Sequence, residues 1–448
     1  PADASSAGNR LACADVLTWV QGGRSSLIPS VTTSSNVPSP FIAGRLIAVE
    51  GEHLVVADDT GQVHIQRGAV QDDAFRAGDI VRVDLAPRAV ATADARDTFP
   101  HAKAVRVLTP YRRDIPFPSP GGEFFRLHGG DNDRVAALRQ RGRALIAIRS
   151  FFSARDYLEI ESPLRVRHPG LEPHLVAASA GSGRYLITSP EYQMKRLLAG
   201  GLERIYFLGK SWREEEEGAW HLGEFTMLEW YRAFSDIETL KVETEALVRH
   251  VASSLGPDAT ARLPAGPFAQ ITVGEACHRH AGVDIAGVVH ADELSRRARQ
   301  AGFDVVEGEG FESILSRILV ERVESALADH PAVFLCDYPA PVAALARLRD
   351  DDPSVAERFE LYLHGVEIGN AFGELTDPDE QRRRFEADQR QREEAGDPAH
   401  DIDEHFIEAL REGIPPSAGI AVGVDRVVAI LTGMEHIGDT VAFRDDEL

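Results

Sequence analysis

The stretch Arg358-Phe-Glu-Leu-Tyr-Leu-His-Gly-Val-Glu-Ile-Gly-Asn370 reads as two short strands joined by a two-residue turn at His364-Gly365. A two-residue connection containing glycine suits the tight turns that link antiparallel strands, because its backbone twist matches theirs. Helical patterns recur elsewhere, at 191–200, 236–255, 312–328 and 378–394. Hairpin-linked strands among such helices predict an antiparallel sheet with helices against it, the α+β class. The turn also sets a register. Tyr362 is expected opposite Glu367 and Glu360 opposite Gly369, which makes Glu360 and Glu367 diagonal neighbours on one face. Two carboxylates converging on a rigid hairpin form a candidate Mg²⁺ site whose shell phosphate oxygens complete. The plainer alternative is a pair of solvated strand glutamates. Asn370, Phe372 and Glu374 have the parity opposite to Glu367 and join it only through a bulge, for which Gly369 is the expected place.

Working outward, further strand-like runs fall at 204–209, 223–232 and 418–430. Leu138, Leu145, Ile148 and Phe152 share one face of a helix that leads into the extended run Tyr157-Leu-Glu-Ile-Glu-Ser-Pro163. These elements define a large domain over 136–448, with the helix-rich, charged residues 285–330 expected as an insertion. Upstream, five short runs between Phe41 and Leu108, punctuated by Gly, Asp and Thr, predict a small OB-like β-barrel over 41–112. Residues 113–135, rich in Pro and Gly, read as a linker, and 1–40, rich in Ser, Thr, Pro and Gly, as a flexible arm.

The 448 residues are ample for such a core. With 71 acidic against 48 basic side chains, the net charge of −23 disfavours a chain wrapped around nucleic acid, while leaving a local basic groove open. Cys13, Cys277 and Cys336 are odd in number and far apart, which gives no disulfide framework and suits a reducing compartment. Cys277-His-Arg-His280 matches no standard metal spacing. The first residue is not Met, and Pro1-Ala-Asp-Ala shows no charged-then-apolar leader. No apolar run approaches the roughly 18 residues of a membrane span. A cytoplasmic protein without membrane partners is expected.

Two more segments can carry chemistry. Lys210-Ser-Trp-Arg-Glu-Glu-Glu-Glu-Gly-Ala-Trp-His-Leu-Gly-Glu-Phe-Thr-Met-Leu-Glu-Trp-Tyr231 reads as strand, polar loop, strand, with Arg213 where the loop begins. An arginine there can clamp a carboxylate or phosphate through its planar fork, whereas four successive glutamates otherwise describe a solvated loop. Ser417-Ala-Gly-Ile-Ala-Val-Gly-Val-Asp-Arg426 is a small-residue strand running into a helix. Its glycines permit close ligand approach, although tight helix–strand packing explains them equally.

Taken together, these segments resemble the core of class II aminoacyl-tRNA synthetases. The helix and strand ending at Pro163 resemble motif 1, Arg213-Glu-Glu through Glu224-Phe-Thr-Met-Leu-Glu229 resembles motif 2, and Gly419 to Arg426 resembles motif 3. Glu360, Glu367, Asn370, Phe372, Glu374 and Asp377, with Ile402-Asp-Glu, are similar to the lysine group. Thr188-Ser-Pro-Glu-Tyr-Gln-Met-Lys-Arg-Leu-Leu-Ala199, Glu224 to Arg232, Asp337-Tyr-Pro339 and Ala421 look like the elongation factor P lysine ligases, since lysyl-tRNA synthetases keep a glycine where Ala421 stands.

The resemblance implies an AMP-forming ligase that activates lysine or (R)-β-lysine with ATP and Mg²⁺ and passes it to a lysine side chain of elongation factor P. It also implies a homodimer built through motif 1. By position, Arg213 would hold the α-phosphate and substrate carboxylate, Phe225 would stack on adenine with Glu215 near its amino group, and Arg426 would grip the γ-phosphate. Glu360 and Glu367 would carry Mg²⁺, Glu191 would take the nearer amino group, and Glu374 and Tyr231 the distant ammonium. The implied catalytic set is Arg213, Arg426 and Glu360. Glu214, His221, Leu361 and Gly423 complete the ATP contacts, and Ser189, Pro190, Asn370, Phe372 and Ala421 the substrate contacts. Charging tRNA as a lysyl-tRNA synthetase is the first alternative, supported by the barrel and opposed by Ala421. Ligation to a carrier protein or small molecule is the second. Ala219, Leu222 and Gly223 depart from the basic residue, Asn and Pro common in the motif 2 loop. The barrel offers Phe41, Phe75 and Phe99 for base stacking, none in the middle of a clear strand, so a degenerate or repurposed module is expected.

Overall fold

The computed structural model describes residues 10–11, 13, 40–68, 70, 75–86, 99–119, 121–129, 134–172, 175–214, 218–396 and 400–448. Most of the expected arm over 1–40, and Glu215, lie outside the described residues. The chain forms two compact units, Pro1–Val135 and Ala136–Leu448.

In the smaller unit five strands, β1 (Phe41–Glu50), β2 (His53–Asp58), β3 (Gly61–Gln66), β4 (Ile80–Leu85) and β5 (Ala102–Thr109), pair in the order β3-β2-β1-β4-β5. A parallel bridge from Gln66 to His101 joins the two outer strands, giving the closed OB connectivity. The pleat sends alternate side chains inward: Leu54, Val56, Val63, Ile65, Val81, Val83 and Leu85 fill the barrel. Arg10–Leu11 adds a short strand parallel to β1, and the buried Cys13 donates its thiol to the Val56 carbonyl. Phe41 and Phe75 are buried, whereas Phe99 is exposed beside the rings of His53 and His64.

The larger unit is built on eight strands: β6 (Leu158–Glu159), β7 (Arg204–Trp212), β8 (Glu224–Ala233), β9 (Ala269–Thr272), β10 (Ala332–Pro339), β11 (Val355–Leu363), β12 (Val366–Gly373) and β13 (Ser417–Gly423). Their order is β9-β10-β11-β12-β13-β8-β7-β6, antiparallel except at the two ends. Six helices support the sheet and its polar face: α1 (Arg134–Ser153), α2 (Glu191–Ala199), α3 (Ile237–Leu255), α4 (Pro378–Ala395), α5 (Glu404–Glu412) and α6 (Val424–Thr432). Strand alternation divides the sheet into two chemically different faces. Leu228, Trp230, Phe359, Leu361, Ile420 and Val422 point to one face and pack with residues of α1, α3 and α6. The residues between them, among them Met227, Tyr231 and Ala421, belong to a second cluster with Tyr192 of α2, Phe385 of α4 and Phe406 of α5. The polar residues of the site stand on this second face.

Three sequence expectations change in detail. Helix α1 buries Ala137, Ala144, Ala147, Ile148, Phe151 and Phe152, while Leu138 and Leu145 are only half-buried. The stripe is rotated because Ala144 and Ala147 join Ile148, Phe151 and Phe152 in the apolar cluster. The hairpin turn has φ of 49° at His364 and 80° at Gly365, as a type I′ turn requires, and Tyr362 does face Glu367. Glu360, however, faces Asn370 and not Gly369, because Ile368 is an extra residue between the Leu361–Gly369 and Tyr362–Glu367 pairs. Ile368 rather than Gly369 forms the bulge because its side chain gains burial in the core, where it is 1% exposed. Gly369 is needed for close strand packing: a Cβ there would lie 2.8 Å from the Ala421 carbonyl oxygen. The bulge reverses the parity, so Asn370 and Phe372 share the face of Glu360 and Glu367.

Residues 285–330 hold the helices Ala291–Gln300, Phe311–Ile318 and Glu324–Leu327, packed through Leu294, Phe303, Ile314 and Val323 on their own apolar cluster. Cys277 and Cys336 are buried free thiols, and burial pushes both up to about 12. Among the described residues no helix is long and apolar enough to cross a membrane.

Candidate active site

A cleft of 270 Å³ opens where β8, β12 and β13 lie side by side, lined by Arg213, His221, Phe225, Glu367, Asn370, Ala421, Gly423 and Arg426. The Arg213 guanidinium stands 5.3 Å from the centre of the Phe225 ring. Arg426, in the first turn of α6, donates from Nε to the Trp220 carbonyl at 2.9 Å and from Nη1 to the Glu367 carbonyl at 2.8 Å. Those two bonds fix the guanidinium while leaving most of its five donors for a ligand. The preceding Asp425 turns the other way. It accepts from Arg141 of α1 at 2.5 Å and from the Thr226 backbone N–H at 2.6 Å, and Arg141 also donates to Thr226 Oγ1 at 2.6 Å. One buried ion pair therefore ties the segments that resemble motifs 1, 2 and 3. Two arginines and an aromatic ring in a cleft at a strand–helix junction suit a phosphorylated aromatic ligand.

Further along the same face lies a second pocket, built from carboxylates. Ser189 donates to Glu229 Oε2 at 2.7 Å, Tyr231 donates to Glu229 Oε1 at 2.6 Å, and the Glu191 backbone N–H donates to Ser189 Oγ at 3.0 Å. Lys195 Nζ lies 2.6 Å from Glu191 Oε1 and 2.5 Å from Glu374 Oε2, and it is fully buried. Gly419 leaves room for this arrangement: a Cβ there would lie 2.3 Å from the Tyr231 ring and 2.8 Å from Glu374 Oε1. The contacts run from Glu191 along two arms, Ser189–Glu229–Tyr231 and Lys195–Glu374, whose ends both lie against Gly419, and together they outline a carboxylate ring. Burial, then the neighbouring Glu191 charge, pushes the Glu229 carboxyl up to about 8 against its two hydroxyl donors. Burial raises Glu374 to about 7 although Lys195 opposes it. For Lys195 burial works against the charge, but Glu191 and Glu374 prevail and hold the ammonium above its ordinary range. Carboxylates outnumber cations here, which suits a ligand that brings ammonium groups.

The fit to Mg²⁺ rests on Glu360 and Glu367. Glu360 accepts from Arg358 Nη2 at 2.7 Å and from Tyr362 OH at 2.9 Å, one bond per oxygen, which leaves further lone pairs on each. Glu367 keeps 39% of its side chain exposed, and burial within the cleft together with the Glu360 charge pushes it up to about 7. A carboxylate raised by the charge of a second carboxylate beside it suits a hard dication. No cluster of three or more His, Cys, Asp or Glu that could hold a metal occurs among the described residues. The donors therefore fit a cation completed by phosphate oxygens and not a protein-only cage.

Of the residues singled out in the sequence, the structure gathers Arg213, His221, Phe225, Glu367, Asn370, Ala421, Gly423 and Arg426 at the first pocket, and Ser189, Glu191, Tyr231 and Glu374 at the second. Pro190 caps α2, and Phe372 packs at the edge of two apolar clusters. Glu214 is exposed, with its backbone N–H on the Val176 carbonyl, and Leu361 is buried on the opposite face of the sheet. Sequence reasoning gave no site role to Lys195, Glu229 or Glu172, and took Gly419 only as one of the glycines that permit close approach. Glu172, raised by burial and by Glu191, is held in place through its carbonyl, which accepts from the buried Arg392 of α4 at 2.7 Å. Lys195 had a local signal, since it follows Glu191 by four residues on one helix face. Glu172 lies in a loop and had none.

Residues 127–447 match the family described as tRNA synthetases class II (D, K and N). Curated relatives include the elongation factor P--(R)-beta-lysine ligase of Yersinia enterocolitica, 39% identical over 322 residues that cover 69% of this chain and 95% of the relative. The protein of the same name from Avibacterium paragallinarum is 37% identical over 318 residues, 69% of this chain and 95% of its own. That from Edwardsiella ictaluri is 38% identical over 325 residues, 70% of this chain and 96% of its own.

Proposed function

Because the chain belongs to the class II (D, K and N) tRNA synthetase family, we propose that it is an ATP-dependent ligase that activates lysine or (R)-β-lysine and transfers it to a lysine side chain of elongation factor P. The observation that carries this reading is the placement of the two pockets on one sheet face. Ala421 of β13 is paired on one side with Asn370 of the arginine cleft and on the other with Glu229 of the carboxylate ring. A diamino acid seated in the ring would present its carboxylate to a nucleotide seated in the cleft.

Ligases of this synthetase class use ATP, generally with Mg²⁺. The substrate carboxylate attacks the α-phosphorus, a carboxyl oxygen–phosphorus bond forms, the α–β bond breaks and pyrophosphate leaves. Arg213 would meet the charge growing on the α-phosphate and Arg426 would hold the γ-phosphate, so both act by fixed electrostatics. Phe225 would stack on adenine, and Glu215 would read its amino group. Glu360 and Glu367 would hold Mg²⁺, which when bound neutralises the triphosphate. Glu191 would bind the amino group nearer the reacting end, and Glu374 with Tyr231 the distant ammonium. An analogue lacking that ammonium leaves buried carboxylates without a partner, and this is the basis of rejection. The acyl group then passes to the acceptor amine, which releases AMP.

We place the protein in the cytoplasm as a homodimer. Ile146 of α1 and Leu158 of β6, 71% and 53% exposed, are apolar surface on the element that resembles motif 1. Charging of tRNA is the second reading, favoured by the closed OB connectivity of the smaller unit.

The test is pyrophosphate exchange into ATP with lysine, (R)-β-lysine and norleucine, followed by transfer of the labelled amino acid to elongation factor P or tRNA. Exchange with the diamino acids and transfer to the protein is the expected result. Transfer to tRNA alone would overturn the choice of acceptor, and exchange supported equally by norleucine would overturn the amine pocket.

A further inference from the structure

Lys195 has no part in the roles given above, yet it links two of the carboxylates of the second pocket. It projects from the second turn of α2, is fully buried, and reaches both Glu191 on its own helix and Glu374 just beyond β12. Its ammonium also lies 6.0 Å from the centre of the Phe406 ring of α5. We propose that Lys195 is a positioning residue, whose ammonium bridges Glu191 and Glu374 so that the carboxylates for the two ends of a diamino acid are held against their mutual repulsion at a fixed separation. This rests on the amino-acid-activating reading of the site.

Three observations support the bridge as more than a helix-to-sheet staple. One ammonium serves two carboxylates, so the bridged unit keeps a net negative charge for an incoming cation. Each carboxylate gives Lys195 one oxygen, Oε1 of Glu191 and Oε2 of Glu374, and keeps the other. The remaining oxygen of Glu374, Oε1, lies against Gly419, the position that Tyr231 also overlies. Without the ammonium, two buried like charges would face one another. One of them would take a proton and cease to attract a cation.

The experiment uses the full chain and pyrophosphate exchange with lysine and (R)-β-lysine. Wild type is measured first: no exchange with any diamino acid would overturn the functional reading and this inference with it. In Lys195→Met, the KM for the amino acid is expected to rise on the order of 100-fold, the scale of losing one partner of a buried charge, with the KM for ATP and the saturated rate within about 3-fold. Lys195→Arg is expected to recover most of that loss, and it also serves if Lys195→Met does not fold. Lys195→Ala removes the equivalent of propylammonium, so added propylammonium should lower its amino-acid KM and leave wild type unchanged. If amino-acid and ATP KM values rise together, if the saturated rate falls at constant KM, or if propylammonium has no effect, Lys195 is only a structural tie and the inference is wrong.

Discussion

Arg141→Met tests whether one ion pair holds the three motif-like segments in register. Asp425 is almost sealed from solvent, its side chain 2% exposed, and it takes hydrogen bonds from Arg141 and from the Thr226 backbone. Methionine keeps most of the arginine's apolar length but removes the counter-ion, which leaves a buried carboxylate with one backbone donor. Breaking one partner of a buried pair costs about 3–5 kcal/mol. Arg141 is itself 13% exposed, so some water reaches the gap and the lower end, about 3 kcal/mol, is expected. A domain has only about 5–15 kcal/mol to lose, so the effect should be plain. Adding Asp425→Asn removes the stranded charge, and the double variant should regain about 1–2 kcal/mol over the single one. Urea unfolding followed by tryptophan fluorescence suits the measurement, because Trp212, Trp220 and Trp230 all lie in the larger unit. A loss below about 1 kcal/mol would refute the claim that burial makes the pair essential. A double variant no better than Arg141→Met would refute the electrostatic explanation and leave shape alone.

Gly419→Ala should abolish amino-acid-dependent exchange while ATP still protects the protein against heat, because the new methyl would collide with Tyr231 and Glu374 and leave the arginine cleft alone. Normal exchange in that variant would mean the carboxylate ring is not the amine pocket. Arg426→Ala should slow adenylate formation by about 100- to 1000-fold, as the loss of one fixed donor does, and lower stability to urea by only about 1–3 kcal/mol through the two carbonyls it leaves. Glu229→Gln should change the dependence of stability on pH. The folded state holds the Glu229 proton up to about pH 8 against an ordinary 4.5, so this group's contribution is full below 4.5 and is lost as pH rises toward 8. The variant, always neutral, should therefore gain on wild type across that window, by a few kcal/mol at most, since each tenfold change in proton affinity is worth about 1.4 kcal/mol. A difference that stays flat in urea titrations from pH 5 to pH 9 would exclude the raised carboxyl.

The hairpin was the most legible part of the fold. A two-residue turn leaves few options, and Tyr362 faces Glu367 as the turn alone demands. The bulge was legible as a need, since Phe372 and Glu374 had the wrong parity without one, but not as a position. Ile368 takes the extra place because of a core that no local pattern reveals, and Gly369 because of the Ala421 carbonyl on a strand about 50 residues away in the chain. The site divides in the same way. Arg213, Phe225 and Arg426 stand in distinctive wording beside turns and junctions. Lys195 looks like an ordinary cation on a helix until Glu374 arrives from a distant strand. Glu229 sits in a strand where only the fold decides which face is wet, and nothing local marks Asp425 as an anchor for Arg141.

Strand β13 comes last in the chain, yet it lies in the middle of the large sheet, between β12 and β8. Until residues 417–423 leave the ribosome, the sheet is two separate pieces, each ending in an unpaired edge that can pair with a neighbouring chain. Neither piece has a complete arginine cleft or carboxylate pocket, because both pockets are joined through Gly419, Ala421 and Gly423. Synthesis is consequently all or none: a chain stopped shortly before Ser417 would carry Arg213 and Glu360 but lack Arg426, have no activity, and need shielding from aggregation throughout its wait for the final strand.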